Sequence, residues 1–318
     1  MSKPVVEVRD LTISLPRRGG AVHVVNGVSF DLAAGEVLSV IGESGAGKSL
    51  LLRSLLGMLP AGAVVGGSVT IKGRDLASLR PAELSALRGR TVSMVFQEPM
   101  TALDPVFPIG TQIAETVMRH TGVSRRAAMD RALALLEMVA IPSAKRRLDS
   151  FPHEMSGGMR QRVMIALALS CDPDVLLADE PTTALDATVQ IQLLVLLRQL
   201  QRELDMAVVF VTHDMAVAAE ISDRVAVMYA GRFVETGVAE QVLLAPAHPY
   251  SAGLLHSTVR AGMRGKPLQT IPGWPPDPAA LPAGCAFAAR CGSATAICTQ
   301  AVPPLQGGAH RVSCWHVG

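Results

Sequence analysis

Gly42-Glu43-Ser44-Gly45-Ala46-Gly47-Lys48-Ser49 constrains this chain more than any other segment. It has the spacing of a phosphate-binding loop, set between an apolar strand-like run (36–41) and a helix-like run (49–59). Its glycines let successive backbone N–H groups turn toward phosphate oxygens, and the N-terminus of the following helix adds partial positive charge. Lys48 is expected to reach the β- and γ-phosphates and Ser49 to occupy a Mg²⁺ ligand position. A second segment, 175–181, is an apolar strand ending in Asp179-Glu180-Pro181. Asp179 suits the far side of the metal, and Glu180 suits activation of a water. A plain Gly-rich turn is the alternative, and the strand before and helix after the loop count against it. These residues imply a protein that handles ATP.

Around that pair the chain alternates. Short strands are predicted at 5–9, 22–25, 28–32 and 66–72, with a short helix at 82–87 and a compact strand at 91–96 that ends at Gln97. Helical periodicity then dominates at 109–119, 125–139 and 158–170. Alternation resumes with strand 175–178, helix 188–203, strand 207–211, helix 215–221, strand 224–229 and a short strand at 232–235. After about 245, prolines 246, 249, 267, 272, 275, 276, 278 and 282 break up any long element. We read this stretch as a linker into a small cysteine-bearing module. There is no internal repeat and no second phosphate loop.

Composition excludes several classes. A net charge of +2 and an aromatic share of 3% argue against a nucleic-acid partner. The clusters Arg17-Arg18 and Lys145-Arg146-Arg147 read as solvated surface. The hydrophobic share is 49%, but its longest apolar stretches, such as 163–169 and 207–211, are far too short to span a bilayer. Met1-Ser2-Lys3-Pro4 lacks the layout of a secretory signal, so a cytoplasmic location is expected. Disulfides are then not expected among the five cysteines. Cys171, beside an apolar helix, reads as a buried thiol, whereas Cys285, Cys291, Cys298 and Cys314 gather near the end.

Ser156-Gly157-Gly158-Met159-Arg160-Gln161-Arg162 opens a helix-like run; alone it would pass for an ordinary N-cap. With the phosphate loop, Gln97, Asp179-Glu180, Ala184-Leu185-Asp186 and Val211-Thr212-His213-Asp214, however, it resembles the ATP-binding cassette family over residues 3 to about 240. The resemblance implies that Gly42, Ser44, Gly45, Gly47, Lys48, Ser49, Leu50 and Asp179 bind ATP and Mg²⁺. Ser156, Gly157 and Gly158 would form the signature loop that contacts nucleotide on an opposite subunit. Gln97 would sense metal and water, His213 would hold the γ-phosphate, Asp186 would cross the dimer interface, and Glu180 would be the base. Ser49, Gln97 and Asp179 form the implied Mg²⁺ set. The aromatic residue that the family usually stacks on adenine is missing from 16–23, where Arg18 or His23 offers a flat substitute. The fold expected is α/β: a P-loop NTPase core with an N-terminal antiparallel β subdomain, an inserted helical subdomain at about 98–170, and a small Cys-rich extension. As domains, 1–244 form the nucleotide-binding ATPase and 245–318 the extension.

Finer motifs narrow the branch. Phe96-Gln97-Glu98-Pro99-Met100-Thr101-Ala102-Leu103-Asp104-Pro105, Phe151-Pro152-His153-Glu154-Met155 and Met159 look like the oligopeptide/dipeptide and nickel importers. So do His248-Pro249-Tyr250, Ile271-Pro272-Gly273 and Leu281-Pro282-Ala283-Gly284-Cys285. This branch implies an ATPase motor for uptake of di- or oligopeptides, peripheral on the cytoplasmic face of the inner membrane. Its partners would be a second, homologous ATPase, two transmembrane permeases and an extracytoplasmic substrate-binding protein. A nickel or metallophore importer is the alternative cargo. A soluble cassette of DNA repair or translation is the alternative class, but it would bring a coiled-coil insertion or tandem cassettes. A P-loop kinase would leave the signature loop, Asp186 and His213 without a task. The cysteine spacing is neither a zinc ribbon nor a ferredoxin run. The resemblance favours a [4Fe–4S] cluster, with Cys₄ zinc and four structural thiols left open.

Overall fold

The structure, a computed structural model, describes residues 3–17, 20–183, 185–257 and 270–316. It divides into two compact units, 1–5/33–36/78–210 and 6–32/37–77/211–318. Arg18 and Ala184, both singled out by sequence, lie outside the described residues.

In the unit that carries the phosphate loop, an antiparallel sheet runs in the order Gly20–Leu32, Val6–Arg17, Val64–Ile71, Arg74–Asp75. Two of these strands are much longer than the sequence predicts, and the reason is bulges. Val6 and Val8 point inward, then Leu11 and Ile13, so the buried parity changes in mid-strand. The register shifts between Val8 and Leu11, where Asp10 takes φ 45°. Opposite, Gly67 sits at φ +78°, where a Cβ would lie 2.4 Å from the carbonyl oxygens of Arg9 and Asp10. Gly27, in the gap between the predicted strands 22–25 and 28–32, is likewise at φ 78° inside a continuous strand. A bulge inserts a residue without ending pairing, so it imitates a turn in the sequence.

The same unit holds a second set of strands. Val37–Ile41 pairs parallel with Arg224–Tyr229, which pairs antiparallel with Arg232–Val238. Every residue of Val37–Ile41 is buried, as a strand covered on both faces requires. The far C-terminus joins this sheet: Arg311–Val312 pairs with Arg232–Val238 and with Gln306–Gly307. Pro249 does not break structure but opens the helix Pro249–Ser257, where a missing N–H costs nothing at the first turn. Tyr250 from that helix and Phe287 pack into one core with Val225, Val227, Tyr229 and Val242. The rings of Tyr229, Tyr250 and Phe287 lie 4.6–5.4 Å apart.

In the other unit, Val92–Val95 pairs parallel with Val175–Asp179, with Ala207–Thr212 next to it. Helices Ile109–Thr121, Arg125–Met138 and Gly157–Ala168 form the helical block, within two residues of the boundaries that periodicity predicts. Ile109, Ile113 and Val117 line one face of the first; Ala128, Ala132, Leu135 and Leu136 line one face of the second. Ser124 caps the second helix by accepting from Ala127 N. Among the described residues no helix is long and apolar enough to cross a membrane.

Two buried polar groups tie the C-terminal segment down. Glu235, fully buried, accepts from Ala247 N (2.8 Å), His248 N (2.9 Å) and His310 Nε2 (2.7 Å). His248 is 1% exposed, its Nδ1 accepts from Tyr250 N at 3.0 Å, and burial pushes its pKa down to about 4. Its stabilising contribution is therefore complete above pH 6.5 and lost as pH falls through about 4, amounting to about 3 kcal/mol. The stability difference between wild type and His248→Asn, measured by urea unfolding, should shrink by about that amount between pH 7.5 and pH 4. A difference independent of pH would contradict the neutral buried imidazole.

Candidate nucleotide site

The phosphate loop leaves the buried strand Val37–Ile41 and enters the helix Lys48–Leu55. Two of its glycines are dictated by neighbours. A Cβ on Gly42 would lie 2.2 Å from the Met228 carbonyl oxygen, and one on Gly47 would lie 2.7 Å from that of Val24. Gly47 also sits at φ +103° and Gly45 at φ +81°, in the left-handed region that side chains avoid. Gly231 N donates to Ala46 O at 3.0 Å, and Asn26 N to Gly231 O at 2.8 Å, pinning the loop to both flanking strands. Lys48 is 5% exposed and donates to Gly42 O (2.7 Å) and Glu43 O (3.0 Å), curling over its own loop. Ser44 and Gly45 are exposed at the tip, with Ser49 and Leu50 half-buried at the helix start.

Beside the loop is a small, shallow hollow. Glu43, Ser44, Gly45 and Ala46 line one side, His23 and Val24 another, and Pro275, Pro276 and Pro278 a third. His23, one of the two flat substitutes considered from sequence, thus does face the loop; its Nδ1 lies 2.8 Å from Ser14 Oγ. The proline wall was not legible beforehand. In the same unit His213 stands exposed just after the strand Ala207–Thr212, and the next residue, Asp214, caps a helix by accepting from Ala216 N at 2.8 Å.

Asp179 and Glu180 lie in the other unit. Asp179 ends the strand Val175–Asp179 and is 5% exposed. Glu180 follows at φ 46°, turning the chain so that its side chain leaves the strand direction. Its Oε2 accepts from Thr183 Oγ1 at 3.0 Å and lies 3.5 Å from Gln97 Nε2. Residues 83 positions apart are thus brought together. Ser156 accepts from Met159 N at 3.3 Å and caps the helix Gly157–Ala168. A Cβ on Gly158 would lie 2.6 Å from Val189 Cγ1, so this position sets the approach to the next helix, Ala187–Glu203. Asp186 caps that helix, accepting from Thr188 N and Val189 N.

The extension supplies contacts that sequence reasoning missed. Tyr250 OH accepts from Glu43 N at 2.9 Å, and Arg290 pairs with the Glu43 carboxylate. Cys285, Cys291, Cys298 and Cys314 line one pocket with Phe287, Pro303 and His316. Burial, and then the neighbouring thiols, push the Cys285 and Cys291 pKa values up. All five cysteines are free thiols, and Cys171 is half-buried rather than fully buried. Among the described residues no group of three or more His, Cys, Asp or Glu side chains is arranged to hold a metal ion. The iron–sulfur expectation therefore has no ligand geometry behind it.

The ABC transporter family pattern matches residues 25–183, and that of the oligopeptide/dipeptide transporter C-terminal region matches 234–298. The chain belongs to the ABC transporter family, in its ATP-binding subunits. It is 45% identical to the dipeptide transport ATP-binding protein DppD of Bacillus subtilis, over 98% of this chain and 94% of that one. It is 47% identical to the oligopeptide transport ATP-binding protein OppD of Salmonella typhimurium, over 95% and 90%. A dimeric ATP-binding cassette solved in a post-hydrolysis state with ADP and Pi matches at TM-score 0.66 and 28% identity, covering 74% of this chain and 98% of that one. The fold is the α/β fold of ABC ATPases, and ATP with Mg²⁺ is what an ATPase of this family is expected to use.

Gly47→Ala should lower unfolding stability by about 2 kcal/mol or more, because a Cβ there meets both a left-handed φ and the Val24 carbonyl. An unchanged urea midpoint would mean that the loop path is not held as described.

Proposed function

We propose that this chain is the ATP-hydrolysing motor of an importer for di- or oligopeptides, peripheral on the cytoplasmic face of the inner membrane. One observation carries the reading: a phosphate loop in an ABC ATPase pattern and a peptide-transporter C-terminal pattern occupy the same chain. The reported relatives are named for dipeptides and oligopeptides, which favours peptide over nickel as cargo. Two permeases follow from the importer reading. A second homologous ATPase and an external binding protein are the finer proposals.

In this reading Gly42, Ser44, Gly45, Gly47 and Leu50 shape the phosphate site through backbone N–H groups. Lys48 exchanges its two loop carbonyls for phosphate oxygens, and Ser49, Asp179 and Gln97 hold Mg²⁺. Glu180 takes the proton of the attacking water, positioned by Thr183 and Gln97, while His213 contacts the γ-phosphate. Ser156, Gly157 and Gly158 serve nucleotide on the partner ATPase, and Asp186 faces the same junction. His23 offers a flat face to the base.

Glu180→Gln should retain ATP binding and lower turnover by about 10²–10⁴-fold, because an amide cannot accept the proton. Near-normal hydrolysis would remove Glu180 from the role of base. Ser156→Arg should stop hydrolysis at the partner's phosphate loop while leaving ATP affinity at Lys48 intact.

The four cysteines carry a second, narrower reading. Four soft thiols around one pocket match the donor chemistry of a [4Fe–4S] cluster, with Cys₄ zinc as the competing occupant. Either would stabilise a module with little core of its own. Metal analysis of anaerobically purified protein should find about four irons per chain and a brown colour. One zinc and no colour would replace the cluster with zinc, and no metal would leave structural thiols.

A further inference from the structure

Glu43 puts a carboxylate at the second position of a loop that must receive a polyanion. Left alone, that charge would oppose the phosphates it sits beside. It is not left alone. Arg290, whose side chain is 4% exposed, grips it with both ends of the guanidinium: Nη1 to Oε2 at 2.7 Å and Nη2 to Oε1 at 2.9 Å. The fork is itself fixed, with Nε donating to Pro272 O at 2.8 Å and Nη1 to Tyr229 OH at 3.2 Å. The guanidinium carbon lies 5.8 Å from the ring centres of Tyr229 and Phe287. The Glu43 backbone is held separately, through its N–H and Tyr250 OH.

Arg290 is also covalently next to the cysteine module. It closes the turn Ala288–Arg290, in which Ala288 N donates to Cys285 O and Cys291 N to Ala288 O. We propose that Arg290 is a positioning residue of the nucleotide site, which neutralises Glu43, fixes the phosphate loop and thereby sets ATP affinity. This rests on reading 42–49 as the ATP phosphate loop.

The test is calorimetric titration of the full chain with MgATP, with turnover measured in the assembled ATPase. Lys48→Ala should abolish binding; if it binds like wild type, the site reading itself fails. Given that control, Arg290→Met should raise the Kd about tenfold with turnover at saturating ATP within about twofold, since affinity and not chemistry is altered. Glu43→Gln/Arg290→Met should restore affinity to within about threefold of wild type, because the repelling charge is gone. An unchanged Kd for Arg290→Met, or a double variant as weak as the single, would overturn the proposal while leaving the site reading in place. If Arg290→Met does not fold, Arg290→Lys against Arg290→Gln carries the same comparison. Lysine keeps the neutralising charge but loses the two-pronged grip, so its Kd should lie between those of wild type and glutamine; equal affinities for the two variants would overturn it.

Discussion

The phosphate loop runs so close to two strand carbonyls that nothing larger than a hydrogen fits at Gly42 or Gly47. Much else in its unit follows from that approach. Met228 O faces one glycine and Val24 O the other, so the loop is seated between the parallel sheet and the antiparallel sheet rather than hung from one of them. Gly231 and Asn26 complete the seat with backbone hydrogen bonds. The backbone N–H groups of 44–47 are thereby organised before any ligand arrives, which spares ordering entropy at the binding step.

A second principle is the use of a nominal appendage as core. Residues beyond 245 read as a proline-broken linker, yet Tyr250 and Phe287 are nearly inaccessible and pack on Tyr229 of the central strand. Arg311–Val312 extends the sheet that bears the loop. Removing this end would strip the core around Val225 and Val227 and leave Glu235 buried without its His248 and His310 partners. Loss of such partners is costly, because a buried carboxylate cannot turn to water. The extension therefore supports the nucleotide unit, and Arg290 and Tyr250 carry that support to Glu43.

Legibility in the sequence followed the range of the interactions. Helices such as Arg125–Met138 were readable because periodicity and a Ser124 cap are local signals. The strand Val175–Asp179 and its carboxylates were readable for the same reason, and Gln97 was singled out through family motifs, but its closeness to Glu180 was not. The long first strands were not, since Asp10 and Gly27 carry turn-like signals that the fold uses as bulges. The Glu43–Arg290 pair was invisible, because 247 positions separate its ends and no local signal links them. The proline wall near His23 was hidden likewise: Pro275, Pro276 and Pro278 announce a break in regular structure, not the place where they come to rest.

The central claim is that ATP turnover by this chain drives peptide entry. Its most direct measurement is uptake of a labelled dipeptide or oligopeptide by sealed vesicles containing this chain with its permeases and partner subunits, with MgATP supplied on the chain's side. The account predicts uptake that requires ATP and ceases when the chain's Lys48 is replaced. Peptide entry that ignores ATP, or ATP-driven entry of nickel with no peptide movement, would contradict it.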